Sequence, residues 1–253
     1  MQEQIIIITG AGSGIGRATA LAFAAAGTTL VLAGRRLEPL EATAAQARAE
    51  GAHAVTRSVD LEDGDAAAAL GEWTLAEFGH VDVLVNNAGH STRVRSIRYI
   101  DPQAFASVFR INVEGVFRLT QSLLESWVAR ESGTVITVAS AAALDPNLLG
   151  GIAYGSAKAA ELGLMRGINN ELRRYGVRAC TIIPAEVNTP VLDNRPSPPD
   201  AASRAAMMQP EDVAAAIVLC AHMPGRTLVE QIVMRPTRPR DTSAELAVAA
   251  QKR

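Results

Sequence analysis

Four consecutive isoleucines, Ile5 to Ile8, run directly into Thr9-Gly10-Ala11-Gly12-Ser13-Gly14-Ile15-Gly16. An unbroken β-branched run is the pattern of a strand buried on both faces, as in the middle of a parallel sheet. The glycines allow a tight turn, after which an amphipathic helix is expected to about Ala26. Strand, glycine turn and helix in that order form a cradle for a pyrophosphate. The unpaired N–H groups and positive dipole end of the helix face the anion, and the glycines let the backbone approach it closely. Gly10, Ser13, Gly14, Ile15 and Gly16 are the residues expected to line it.

A doubly buried first strand needs neighbours on both sides, and the chain supplies them. Further strands are expected near 29–33, 54–59, 82–86, 133–139, 177–183 and 229–234, with helices near 36–50, 63–78, 102–130, 154–175 and 210–222. This alternation predicts an α/β chain: a single-domain Rossmann fold, a doubly wound parallel sheet of about seven strands with helices on both faces. With 253 residues, 48% of them hydrophobic, and no Gly/Ser/Pro-rich linker before about residue 190, one domain over 1–237 is expected. A substrate lid at about 186–208 and a charged C-terminal tail at 238–253 complete the organisation.

The formal charge of −2 provides no electrostatic footprint for nucleic acid, and the arginine-containing runs at 93–98 and 235–240 read as solvated faces. Met1 to Gln4 are polar, and the isoleucine run after them is too short for a secretory signal; no later stretch is long and apolar enough for a membrane span. A cytoplasmic protein is expected. Cys180 and Cys220 read as buried thiols in a strand and a helix, and the four histidines form no ligand pair for a metal.

In such sheets ligands bind at the carboxyl ends of the strands, where this chain concentrates its polar motifs. The second strand ends in Gly34-Arg35-Arg36, with no carboxylate to hold a ribose 2′-hydroxyl and a guanidinium fork for a phosphate instead, which favours NADP(H) over NAD(H). Asp60 and Leu61 end the third strand, where Asp60 can accept a hydrogen bond from an adenine amine. Asn86-Asn87-Ala88-Gly89 ends the fourth, with small residues against which a flat ring can lie. Asn112 interrupts a helical pattern as a poor helix former and marks a kink. Ser140 follows the fifth strand and Pro184 to Thr189 the sixth. Tyr154 and Lys158, four residues apart, share one helix face. An ammonium so placed favours the ionised phenol and suits the tyrosine to proton transfer at neutral pH.

Together these motifs give the chain a resemblance to the classical short-chain dehydrogenase/reductase family over essentially its whole length. The resemblance rests on T-G-x-x-x-G-x-G at 9–16, Asp60, N-N-A-G at 86–89, Asn112, Ser140, Y-x-x-x-K at 154–158 and P-x-x-x-x-T at 184–189, in family order and spacing. It implies that Tyr154 exchanges the proton and that Lys158 assists it while holding the nicotinamide ribose. It further implies that Ser140 holds the substrate oxygen, that Asn112 keeps a water in a relay, and that Asn87, Ala88 and Gly89 pack beside the adenine ribose. Val187 and Thr189, after Pro184, would fix the carboxamide.

The chain departs from the family in having Pro184-Ala185 for Pro-Gly, Ser13 where many NADP-preferring members carry a base, and one extra residue between Ser140 and Tyr154. It also lacks the common Gly-Gly after its last strand. Around the substrate, His90, Ser140, Leu148 and Tyr154 are expected, with Leu148, Leu149 and Ile152 as an apolar wall. The expected function is an NADP(H)-dependent oxidoreductase interconverting a small to medium, mainly apolar carbonyl compound and its alcohol. An NAD(H)-dependent alcohol dehydrogenase and a non-catalytic nucleotide-binding redox sensor are the alternatives. A homo-oligomer, dimer or tetramer, is expected from the long helices at 102–130 and 154–175.

Overall fold

The computed structural model describes residues 4–251; Met1 to Glu3 of the polar N-terminus, and Lys252 and Arg253 of the tail, lie outside them. Seven parallel strands form one sheet: β1 Gln4–Thr9, β2 Thr28–Gly34, β3 His53–Ser58, β4 Val83–Asn86, β5 Gly133–Val138, β6 Val177–Pro184 and β7 Gln231–Met234. Their order is β3-β2-β1-β4-β5-β6-β7. The chain runs outward from β1 to one edge, then crosses back to β4 and runs to the other. The reversal between β1 and β4 opens the crevice in which such sheets take their ligands.

The isoleucine run shows how the sheet is covered. Ile6 and Ile8 join one core with helices α1 (Gly14–Phe23), α2 (Leu37–Ala49) and α8 (Pro210–His222). Ile5 and Ile7 face the opposite core with α3 (Gly64–Phe78), α5 (Val116–Arg130) and α6 (Ile152–Leu172). Successive side chains of a strand point to opposite faces, so four buried isoleucines anchor two layers at once. On the second face, the fully buried Trp127 donates its indole N–H to Val81 O at 2.7 Å, and only a glycine at 133 leaves room for its ring.

Three expected helices differ in their ends or continuity. α1 stops at Phe23 rather than about Ala26: Gly27, at φ 83°, and a turn in which Thr28 N–H donates to Ala25 O reverse the chain, which a run of alanines does not announce. The stretch 102–130 is interrupted: α4 (Pro102–Phe109) passes through a π-helical turn, Arg110–Gly115, before α5. Asn112 lies in that turn, as the expected kink, and α6 begins two residues early, after Gly151 at φ 79°.

Beyond β6 the chain forms a short 3₁₀ turn at Pro190–Asn194, α7 (Ala201–Ala205) and α8. The segment expected as a charged tail carries α9 (Ser243–Ala249) and turns back onto the residues after β6. Arg240 donates to Glu186 and Glu245, and Arg195 donates to the same two carboxylates, with side chains no more than 20% exposed. The run 235–240 is thus only partly a solvated face. No helix among the described residues is long and apolar enough to cross a membrane.

Candidate active site

A cleft of about 610 Å³ lies along the carboxyl ends of the strands. Its floor is set by Thr9, whose Oγ1 accepts from the N–H groups of Asn87 and Ala88, both at 3.0 Å, and so holds the ends of β1 and β4 together. Asn87 Nδ2 donates back to Thr9 O at 2.9 Å. A Cβ on Gly10 would meet Asn87 Nδ2 at 2.9 Å and Ala88 Cα at 3.0 Å, and one on Gly16 would overlap Gly10 O. Glycine is therefore required at both positions for the turn to close. Ser13 precedes α1 without capping it through its side chain, so the N–H groups of the first turn are left for a ligand. Such an uncapped, glycine-cradled helix end fits the pyrophosphate of a nicotinamide dinucleotide.

Gly10, Ser13, Gly14, Ile15, Arg35, Asp60, Leu61, Asn87, Ala88 and Gly89 line this end of the cleft. Gly16 packs beneath it against Gly10. Arg35 is exposed and without a side-chain partner among the described residues, whereas Arg36, also exposed, precedes α2 and lies outside the cleft. Asp60 accepts from Glu62 N–H at 3.0 Å.

At the other end Ser140, Tyr154, Lys158, Pro184, Val187 and Thr189 line the same cleft. Ser140 follows β5, and its Oγ accepts from Ala142 N–H at 3.2 Å, capping the 3₁₀ turn Ala141–Ala143. Lys158 Nζ lies 5.6 Å from the centre of the Tyr154 ring. Both lie on α6, whose buried Met165, Ile168 and Leu172 pack against the sheet in one helical stripe with Glu161.

That stripe contains a carboxylate. Glu161 is wholly buried, and its two oxygens accept from Lys158 Nζ at 2.8 and 3.1 Å, while Nζ also donates to Val138 O at 2.8 Å. Burial pushes the Glu161 carboxyl up to about 7 against the lowering pull of Lys158. For Lys158, burial alone would lower the pKa, but the charges of Glu161 and Tyr154 outweigh it and raise the pKa, so the ammonium persists. Sequence reasoning missed Glu161, although a charge in an otherwise apolar helical stripe was its signal.

Asn112 stands behind this end rather than in the cleft. Its Nδ2 donates to His90 O at 2.9 Å and Val108 O at 2.8 Å, and its Oδ1 accepts from His90 N–H at 3.3 Å. The side chain is thereby committed to holding the turn after β4 against the π-helical turn. Gly89 separates it from Lys158: a Cβ there would meet Asn112 Oδ1 at 2.9 Å and Lys158 Nζ at 3.6 Å.

The substrate side differs from the apolar wall expected. His90 lines the cleft, and burial, followed by the charge of Arg35, holds its pKa below the usual value. Leu148 lies outside the lining, and its neighbour Leu149 takes the wall position, because the turn at 147–150 closes on Asn147 Oδ1 and presents Leu149 inward. Arg95, in a run read as solvated, is buried at the cleft wall.

The sequence profile of the family described as short chain dehydrogenase matches residues 4–200. A sepiapterin reductase of Chlorobaculum tepidum is 35% identical over 242 residues, spanning 93% of this chain and 97% of its own. A metagenomic short-chain oxidoreductase solved in complex with NADP superposes with a TM-score of 0.81 at 28% identity, covering 94% of this chain and 99% of that one. An alcohol dehydrogenase from Thermococcus sibiricus, complexed with 5-hydroxy-NADP, gives a TM-score of 0.82 at 26% identity with the same coverage.

Proposed function

The chain belongs to the short-chain dehydrogenase family and is an NAD(P)-dependent oxidoreductase; within that family we propose that it interconverts a ketone or aldehyde and its alcohol, with NADP(H) as preferred cofactor. The observation that carries the proposal is a single cleft joining an uncapped, glycine-cradled helix end to Tyr154, Ser140 and the buried ammonium of Lys158. When bound, the nicotinamide supplies or takes the hydride.

The chain's residues do the rest. Ser140 Oγ orients the carbonyl oxygen towards Tyr154, whose hydroxyl gives up its proton as negative charge develops on that oxygen. Lys158, kept cationic, stabilises the phenolate left behind, and Glu161 holds the ammonium in place. On the proposed reading Lys158 also meets the nicotinamide ribose, while Pro184, Val187 and Thr189 contact the carboxamide. Asn112 acts through the backbone of His90 rather than through a free amide.

The preference for NADP(H) rests on Gly34 and Arg35, and the NADP complexes of the two solved relatives agree with it. A homo-oligomer built on α5, where Phe117 is 40% exposed, is part of the same proposal. Oxidation of NADPH, followed by absorbance across a panel of ketones and aldehydes, tests the activity. No turnover of any member, with NADPH or NADH, would overturn it.

A further inference from the structure

Arg95 is 4% exposed. Its Nη1 donates to Gly150 O at 2.8 Å and to Ser91 Oγ, which ties together the loops after β4 and before α6. That leaves Nε and Nη2, the side-on edge of the guanidinium fork. Nε is enclosed, and neither it nor Nη2 has an acceptor among the described residues. The charges that bear on the group are Arg195, which repels it, and Tyr154; burial, followed by Arg195, lowers its pKa to about 10. It is therefore still a cation at neutral pH.

The other arginines of this wall are compensated or in water. Arg195 and Arg240 share Glu186 and Glu245, Arg235 pairs with Asp145, and Arg238 is exposed. An ionised group buried without a counter-charge costs several kcal/mol, a cost relieved when an anion arrives. The cofactor's phosphates do not serve, since their cradle is at α1, whereas Arg95 stands beside the acid–base group. A Cβ on Gly151 would meet Arg95 Cδ at 2.8 Å, and one on the adjacent Gly150 would lie 3.7 Å from Tyr154 Cδ1. Arg95 and the Tyr154 ring thus flank one two-glycine step. Nη2, which has no acceptor among the described residues, can donate a charge-assisted hydrogen bond to a carboxylate oxygen.

We propose that Arg95 is the anion anchor of the substrate subsite and that the substrate is an oxo acid, a carbonyl compound whose carboxylate lies close to the carbon that is reduced. This rests on the reductase reading above. The carbonyl carbon takes hydride from the reduced nicotinamide and its oxygen takes a proton from Tyr154, giving the hydroxy acid and the oxidised cofactor; the carboxylate is unchanged. Apolar residues such as Leu149, Leu192 and Met207 on the same wall leave room for a hydrophobic remainder.

The test compares acids with their esters. Phenylglyoxylate and acetoacetate, each beside its methyl ester, are offered with NADPH to the wild-type protein and to Arg95→Gln. The wild type is expected to prefer the acid of at least one pair, and Arg95→Gln to lower kcat/KM for that acid relative to its ester by a factor on the order of 10 to 10². Esters reduced as well as acids by the wild type would overturn the proposal. Calorimetric titration of the wild type with benzoate, with and without NADP⁺, reads the anchor without turnover and covers the case in which the variant fails to fold. Binding in the millimolar range or tighter that Arg95→Lys weakens supports it, and absence of benzoate binding overturns it. If no carbonyl compound is reduced but benzoate binds through Arg95, the reductase reading fails and the anion site stands.

Discussion

At the phosphate end of the cleft, Arg35 stands in solvent with no ion-pair partner among the described residues, while at the acid–base end Lys158 and Glu161 are buried and bonded to each other. An exposed guanidinium is hydrated and screened before any ligand arrives, so its contribution is modest and depends on salt. A buried pair has no such reservoir: removing one partner strands the other at a cost of several kcal/mol. The exposed end can therefore be altered with little effect on the fold, whereas the buried end couples chemistry to stability.

The largest effect tests whether the buried end works as an acid. Tyr154→Phe is expected to lower kcat by a factor on the order of 10² to 10⁴ while dissociation constants for the cofactor stay nearly unchanged. Near wild-type turnover would remove Tyr154 from the mechanism. Next comes the coupling itself. Lys158→Ala should cost about 1–3 kcal/mol of stability, because the Glu161 carboxyl, pushed up further without the ammonium, stays protonated but loses its buried hydrogen-bond partner, and it should weaken cofactor binding as well. In denaturant unfolding, the double variant Lys158→Met with Glu161→Leu should then be more stable than Lys158→Ala. A double variant less stable than the single one would show that the pair contributes more than an apolar replacement can.

Glu161→Gln sharpens the comparison through pH. In the folded protein the Glu161 carboxyl keeps its proton to about pH 7, whereas in the unfolded chain it loses it near the ordinary carboxylate value of 4.5. The folded state binds the extra proton between those values, so this group makes stability fall as pH rises from 4.5 to 7 and then level off. The slope removed by Glu161→Gln should approach about 1.4 kcal/mol per pH unit. Identical slopes in both proteins would show that Glu161 is ionised throughout.

The smallest effect belongs to the exposed end. Arg35→Ala should reduce a preference for NADPH over NADH that is on the order of 10 to 10², and added salt should erode the wild-type preference in the same direction. Equal affinities for the two cofactors in the unmodified protein at low salt would show that Arg35 reaches only solvent.

What could be seen in advance divides along similar lines. The sheet, its order of elements and the strand-end motifs follow from local patterns: a doubly apolar strand, a glycine turn, a Tyr and Lys on one face. The kink at Asn112 was visible for the same reason, as a residue that fits a helix poorly. Arg95 and Arg240 were hidden, since a charged residue in a polar run reads as solvated and only the packing of distant segments decides otherwise. Glu161 was hidden differently. Its position in the apolar stripe of α6 was available, but its partner is a residue whose expected duties lay elsewhere. Leu148 and Leu149 could not be told apart, because which of two adjacent leucines faces a cleft depends on the turn around Asn147.

The four-membered cluster of Arg195, Glu186, Arg240 and Glu245 makes residues 186–195 and 240–245 one unit, although some fifty positions of chain separate Arg195 from Glu245. For anyone recombining this protein with a relative, the two segments form a single cassette. A chimaera that imports the stretch after β6 while retaining the native carboxyl terminus would bring mismatched charges together over the cleft, as would a fusion partner that pulls α9 away.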